Sequence, residues 1–501
     1  MRIAHNTLLL YFRLILIMLV SLYTVRVVLN ELGAQDYGIY DVVGGVVVMF
    51  AFINNAMADG TQRFLNFALG QNDVKKTKET FSSSLIFHLV IAVIFVIAAE
   101  TIGLWFVNCK LNIPEDRHYA AMMVYQFTIL TAILNIIRVP YNAVIIAYEK
   151  ISFFAWLSIV EALLKLLIVY LLSIVNADKL ILYAAFISLI SVLMLVIYKF
   201  YCNLKFEISH YSKISDTKLM KELVSFSGWS LFGATANVSN RQGTNIVLNM
   251  FTNVAVNAAM GIANQVNNAI YCFASNFQVA FKPQLIQLYA AGEKQKFVDL
   301  IFKTSKFSFF LLYFIILPLS LNVDYVLELW LKHPPESSVI FVKLILICSL
   351  IDAINGPLWI SAQAIGNIRK YQIIVSTLIF LNLPFCIVAF ICGASPEWIF
   401  KIRIILLLII TIWRVFYLKG TIAFPWKEYS FNVLLRCVAI VIVSQFLCYV
   451  LCHYDIQNEV AKFFYLCFIS CIINFILIIS VGVTKNERST IIRTIKAKLS
   501  K

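Results

Sequence analysis

The sequence predicts an all-α integral membrane protein of about fourteen transmembrane helices, and three observations carry that reading. Of its 501 residues 61% are hydrophobic and only 13% are charged, about half the charged share of ordinary soluble domains. The mean hydropathy is +0.85, and apolar stretches of spanning length, about 20 residues each, recur with short polar connections between them. The formal charge of +15 lies at segment ends and in short loops. That placement follows the positive-inside rule rather than forming a nucleic-acid surface.

Taken in order, the expected spans are 7–30, 38–67, 80–108, 116–147, 150–175, 178–202, 222–250, 254–285, 296–322, 337–363, 369–392, 396–419, 428–452 and 459–483. The first contains Arg13 and Arg26 and lacks a small-x-small exit, so it is expected to stay as a span rather than be cleaved. The second carries Asp59 and Arg63 at i, i+4, a spacing that pairs them on one helix face. His88 in the third reads as a packing residue, and Arg138 in the fourth as a side chain that snorkels to headgroups. The fifth places Glu161 and Lys165 at i, i+4 in mid-membrane. Polar faces mark the seventh and eighth spans. Asn237, Arg241, Asn245 and Asn249 form one stripe, and Asn257, Gly261, Asn264, Asn268, Tyr271 and Ser275 form the other. Asp352 lies near the centre of the tenth. Cysteines in the last two spans, Cys448/Cys452 and Cys467/Cys471, have no metal-ligand spacing and read as small packing residues.

Basic residues place both termini in the cytoplasm, as an even number of spans requires. Arg2, Lys75, Lys76, Lys78, Lys150, Lys205, Lys213, Lys218, Lys294, Arg369 and Lys427 all fall on one side. The polar, basic connection 203–221 divides the chain, and the halves resemble each other. Val28-Leu29-Asn30 recurs as Val247-Leu248-Asn249, and Pro140, Ala147 and Ile151 as Pro357, Ala364 and Ile368. The expected organisation is therefore an N-terminal six-helix lobe at 1–202 and a cytoplasmic linker at 203–221. A second six-helix lobe follows at 222–420, then two further transmembrane helices at 421–484 and a basic cytoplasmic tail at 485–501. Parallel six-helix repeats are an arrangement in which transporters bind cargo between the halves.

Ionisable residues deep in apolar spans are functional hypotheses by default. Arg241 and Lys165 are candidate cavity cations, joined by Asn237, Asn245, Asn264, Asn268, Arg26 and Arg63. Asp352 and Glu161 could exchange a proton or hold a sodium ion, and Asp352 could instead serve as a counter-ion to an arginine. For any one asparagine, gluing helix to helix is the competing role. Guanidinium groups suit phosphate or pyrophosphate and amides suit sugar hydroxyls, while apolar walls suit a long acyl or prenyl chain. Enzymatic signals are thin: no Walker A, GxSxG, HExxH or DxD sequence occurs. The external connection Asn322–Glu336 is the one place a membrane-embedded glycan polymerase or ligase would keep catalytic residues.

The opening residues carry a pattern: Asn6-Thr7-Leu8-Leu9-Leu10-Tyr11, Val27-Val28-Leu29-Asn30, Leu32-Gly33, Asp36-Tyr37-Gly38-Ile39-Tyr40 and Thr61-Gln62-Arg63-Phe64-Leu65-Asn66. It resembles the Wzx-type polysaccharide-biosynthesis flippases of the MOP exporter superfamily, which are related to MATE exporters. That resemblance covers about the first eighty residues in motif and the rest in topology. It implies MATE-like V-shaped lobes, alternating access and a central cavity lined by spans one, two, seven and eight. It also implies transfer of undecaprenyl-pyrophosphate-linked oligosaccharide across a bacterial inner membrane for O-antigen, capsule or exopolysaccharide assembly. Arg241 and Lys165 then become candidate pyrophosphate contacts. No cofactor is implied beyond coupling to a sodium or proton gradient, and a polysaccharide polymerase is the expected partner. Export of small lipophilic cations, as by MATE proteins, is the alternative.

Overall fold

Hydrocarbon offers no water to a backbone N–H, so a chain this apolar can satisfy its main chain only within helices or closed barrels. The structure, a computed structural model, takes the helical solution. It describes residues 2–48, 51–110, 113–175, 177–212, 217–252, 254–451, 458–484 and 487–488, and no strand occurs among them. The elements are α1 (Arg2–Val48), α2 (Ala51–Gly70), α3 (Val74–Ala98), α4 (Leu104–Lys110), α5 (His118–Ala147) and α6 (Ile151–Leu172). Next come α7 (Lys179–Lys205), α8 (Thr217–Phe251), α9 (Val254–Ala290), α10 (Lys294–Leu321), α11 (Val323–Leu331) and α12 (Ser338–Ile365). The chain continues through α13 (Arg369–Phe380), α14 (Asn382–Ile391), α15 (Trp398–Ile422), α16 (Trp426–Tyr429), α17 (Arg436–Leu451) and α18 (Glu459–Leu477).

Ten helical stretches among the described residues are long and apolar enough to cross a membrane. The other four expected spans, 38–67, 222–250, 254–285 and 396–419, also fall on helices in their described residues, the last from Trp398 onward; residues 49 and 50 lie outside the described residues. α1 is broken at Gly33, where φ is 76° and ψ 166°. Asp73 caps α3 by accepting from the Lys76 N–H, and Asp178 caps α7 by accepting from Leu180 and Ile181. Pro140 and Pro357, matched across the halves in the sequence, each lie inside a helix near its C-terminal end. Lys213 in the linker, and the tail apart from Glu487 and Arg488, lie outside the described residues.

Large apolar side chains cover the outside of the helices. Ile94, Leu189, Phe200, Phe446 and Phe468 are each at least 60% exposed, whereas Ser82, Ser83, Ser84 and His88 on α3 are fully buried. In water that distribution would be costly, and in lipid it is the stable one. His88 sits in the interior with its Nδ1 2.8 Å from the Ser84 carbonyl. No disulfide forms among the described cysteines.

The chain divides into two compact units, neither continuous in sequence. Unit 1 comprises 1–235, 280–293 and 363–372; unit 2 comprises 236–279, 294–362 and 373–501. In unit 1 α5 packs on α7, α1 on α6, and both α2 and α3 on α5. The ends of α9 and α12 join that unit through α2. Lys282 on α9 donates to Asp59 on α2 at 2.6 Å. Arg63, one turn further along α2, donates to the carbonyls of Gln363 and Ala364 at 3.1 and 3.4 Å.

The Asp59–Arg63 pair expected from the spacing is therefore replaced by two longer-range attachments. The reason is local. Carbonyls in the last turn of α12 have no intrahelical donor, and a buried guanidinium supplies one. Gly366, with φ 92°, ends the helix, and a Cβ there would collide with Arg63.

In unit 2 α10 packs on α18, and α17 packs on α18. Asn474 of α18 donates to the Tyr313 carbonyl at 3.1 Å, and the Tyr313 hydroxyl meets Ser444 of α17 at 2.5 Å. Lys306, buried on α10, donates to both carboxylate oxygens of Glu487 at 2.7 and 2.9 Å. Burial alone would raise the Glu487 carboxyl. Its bonds with Lys306 and the Thr484 N–H outweigh that and hold it below its ordinary value. Its contribution to stability is thus present above the ordinary carboxylate range and is lost as pH falls through the depressed value.

Close approach of α2 to α9 depends on Gly70, where a Cβ would lie 2.6 Å from the Gln287 oxygen and 2.7 Å from its Cα. Gly70→Val should cost about 1–3 kcal/mol through overpacking. Thermal unfolding in detergent should show a lowered midpoint for Gly70→Val. Gly45→Ala, which meets nothing within 4 Å, should leave the midpoint in place.

Candidate functional site

A polar space of about 610 Å³ lies within unit 1, among α1, α5, α6 and α7. Helix periodicity builds its walls. On α6, Ser158, Glu161, Ala162 and Lys165 fall on one face, and on α1 Arg13, Ile17, Ser21 and Thr24 do the same. α5 adds Arg138 and Asn142, and the hydroxyl-bearing rings of Tyr37, Tyr40, Tyr183 and Tyr198 complete the lining.

Electrostatics centre on Glu161. Its Oε2 accepts from Arg138 Nη1 at 2.9 Å and its Oε1 from Lys165 Nζ at 2.9 Å. One carboxylate thus faces two cations, and the third, Arg13, stacks over the Phe154 ring at 4.5 Å. The Arg138 guanidinium also sits 5.4 Å from the centre of the Tyr198 ring. Three cationic side chains against one carboxylate leave the cavity with two excess positive charges. Arg13 Nε is buried without a hydrogen-bond partner among the described residues, so one donor remains to be used. An anion with several oxygens is the ligand that such a surface can hold.

The sequence-derived candidates divide accordingly. Glu161 and Lys165 are brought together here, and Arg138, read as a snorkelling side chain, lines the cavity together with Arg13. The face shared with Ser21 and Thr24 was the readable signal for Arg13. Arg138 gave none, because its partner lies on another helix. Arg63 is bound to the end of α12, and Arg26 is exposed on α1 away from this lining.

In unit 2, Arg241, Asn245 and Asn264 surround a void of only about 20 Å³, together with Asn240, Thr244, Asn382 and Arg403. Asn382 donates to Asn240 at 2.9 Å, so amides there join helix to helix. Asn237 and Asn268 are exposed outside that void. Asp352 faces Arg403 at 3.6 Å, the arginine counter-ion that one of its two readings anticipated. Among the described residues no group of three or more His, Cys, Asp or Glu side chains could hold a metal ion.

The sign of the cavity is measurable. With the native cysteines replaced, Ser158→Cys should react several-fold faster with a sulfonate-bearing methanethiosulfonate than with the trimethylammonium analogue, because the local field attracts anions. The added substitution Arg138→Gln should shrink that preference.

No family model and no curated protein matches this sequence. Solved structures do match. An outward-facing multidrug resistance MATE family transporter of the MOP superfamily aligns with a TM-score of 0.72 at 12% identity, over 84% of this chain and 95% of that one. A MOP superfamily transporter from Pyrococcus furiosus, described as having a binding pocket of reverse polarity that suggests a different function, aligns at 0.70 and 12% over 85% and 97%. The MATE transporter ClbM in complex with Rb+ aligns at 0.68 and 12% over 82% and 94%. Identity this low speaks to architecture alone. In architecture, the chain is an all-helical membrane protein with the fold of the MATE transporters of the MOP superfamily.

Proposed function

We propose that this protein is a membrane transporter working by alternating access, and that its cargo is a lipid-linked oligosaccharide carried on polyprenyl pyrophosphate. The observation that carries the proposal is the charge of the unit 1 cavity. Arg13, Arg138 and Lys165 outnumber Glu161, and both Glu161 oxygens are engaged by cations. A site for a lipophilic cation would need an acidic group left open, so the MATE-like cation-export reading is the weaker one. The Pyrococcus furiosus transporter, whose binding pocket is described as having reverse polarity that suggests a different function, is a precedent for a changed pocket on this fold.

In this reading the pyrophosphate is neutralised by the cavity cations. The sugar follows in a polar lumen while the prenyl tail stays in lipid. Glu161 and Asp352 are the groups through which a proton or sodium gradient would be coupled. The chain would reside in a bacterial inner membrane with both termini cytoplasmic, delivering units to a polysaccharide polymerase for O-antigen, capsule or exopolysaccharide assembly. No catalytic role is assigned. The expected external connection folds in part as the short helix α11, and its substitution is the test of the polymerase or ligase alternative.

Leaflet-resolved labelling of lipid-linked oligosaccharide in cells lacking the protein tests the proposal. Intact units should accumulate facing the cytoplasm. Wild type should clear them, and Arg138→Gln/Lys165→Gln should do so roughly tenfold more slowly at equal membrane abundance. Units that reach the outer leaflet normally yet stay unpolymerised would point to the enzyme instead. Unchanged lipid-linked sugar together with loss of drug efflux would point to cation export.

A further inference from the structure

A second space in unit 1, of about 480 Å³, opens at the turn between α5 and α6, beside the start of α1. Resting on the cargo proposed above, we infer that this space is a saccharide subsite, in which Phe153 and Tyr201 form the platform and Glu149 and Asn6 take sugar hydroxyls.

Three rings, Tyr148, Phe153 and Tyr201, line the space, and a fourth, Phe206, packs behind them. Phe153 and Tyr201 stack at 3.6 Å and 8°, Tyr148 stacks on Phe206 at 4.5 Å, and Tyr201 meets Phe206 edge-on at 6.0 Å. Polar groups are placed against that aromatic wall. Asn6 is buried at 6% exposure. Glu149 adopts the left-handed region with φ 55°, uncommon for a residue with a long side chain. The turn fixes it there, since the Glu149 N–H donates to the Ile146 carbonyl and the Lys150 N–H to that of Ile145. Glu149 Oε2 is enclosed and has no hydrogen-bond partner among the described residues. An enclosed carboxylate oxygen without a donor is costly, and a ligand hydroxyl relieves it.

Charge separates this space from the cationic cavity. Glu149 and Lys150 balance, so it favours a neutral hydroxylated ligand over an anion. Sugars have that character: their C–H faces lie on aromatic rings and their hydroxyls reach carboxylates and amides. The two spaces are also in register along one helix. Phe153 lines the neutral pocket, while its neighbour Phe154 and then Glu161 line the cationic one. From Phe153 to Glu161 is about 12 Å at 1.5 Å per residue. That separation suits a pyrophosphate at one end and a sugar ring further along the same molecule at the other.

The test is binding to the full-length protein in nanodiscs, read by quenching of tryptophan fluorescence. Its probes are undecaprenyl pyrophosphate and the lipid-linked oligosaccharide extracted from the source cells. Wild type should bind the sugar-bearing lipid roughly tenfold more tightly. Glu149→Gln and Tyr201→Ala should each remove most of that difference and leave affinity for undecaprenyl pyrophosphate unchanged. Tyr201→Phe, which keeps the ring, should retain it. Equal binding of the two lipids by wild type, or variants that keep the full difference, would overturn the subsite while leaving the cargo reading intact. Loss of both lipids by every variant would also overturn it, because those positions would then act on the fold. Failure of wild type to bind either lipid would instead remove the cargo reading itself.

Discussion

A main-chain carbonyl at a helix end has no donor of its own, and within lipid no water can stand in for one. Arginine answers that need repeatedly in this chain. Arg63 donates to the end of α12, Arg436 to the Val481 carbonyl, and Arg488 to those of Ile479 and Ser480. Each bond joins parts of the chain that would otherwise leave a polar atom stranded. The architecture of long helices with few polar loops depends on this supply of donors. It also explains why basic residues inside apolar spans do not all mark cargo.

That double use of arginine decides how much of the site was legible in the sequence. Helix positions and the membrane class were readable, because apolar run length is set by bilayer thickness and survives any detail of packing. The Glu161–Lys165 pair was readable too, since both residues lie on one helix and their spacing fixes the contact. Arg138 was not, because only the packing of α5 on α6 puts it beside Glu161. Arg63 was misplaced for the converse reason. Its i, i−4 neighbour Asp59 was visible in the sequence, whereas the carbonyls of Gln363 and Ala364 lie some 300 residues further on. Contacts along a helix follow from periodicity; contacts between helices follow from tertiary packing that periodicity leaves open.

The asparagine stripes teach a similar lesson about α8 and α9. A polar face was expected to line an open cavity, and part of it closes instead around a void of about 20 Å³ in which amides meet amides. An amide carries both donor and acceptor, so two of them satisfy each other and draw their helices together. A guanidinium carries donors alone and repels its own kind. A polar space of about 610 Å³ is found where Arg13, Arg138 and Lys165 gather, and the small void lies where Asn382 bonds Asn240.

The two excess positive charges around Glu161 have an electrical consequence. On the cargo proposed above, a doubly charged pyrophosphate would bring the cavity close to neutral, and the membrane voltage would exert little force on the loaded protein. Emptied, it would carry its charge back exposed to the field, where each elementary charge that crosses fully gains about 2.3 kcal/mol per 100 mV. A potential negative inside would pull the empty cavity toward the cytoplasm. Voltage would then act as the restoring spring of the cycle rather than as the force that moves the sugar.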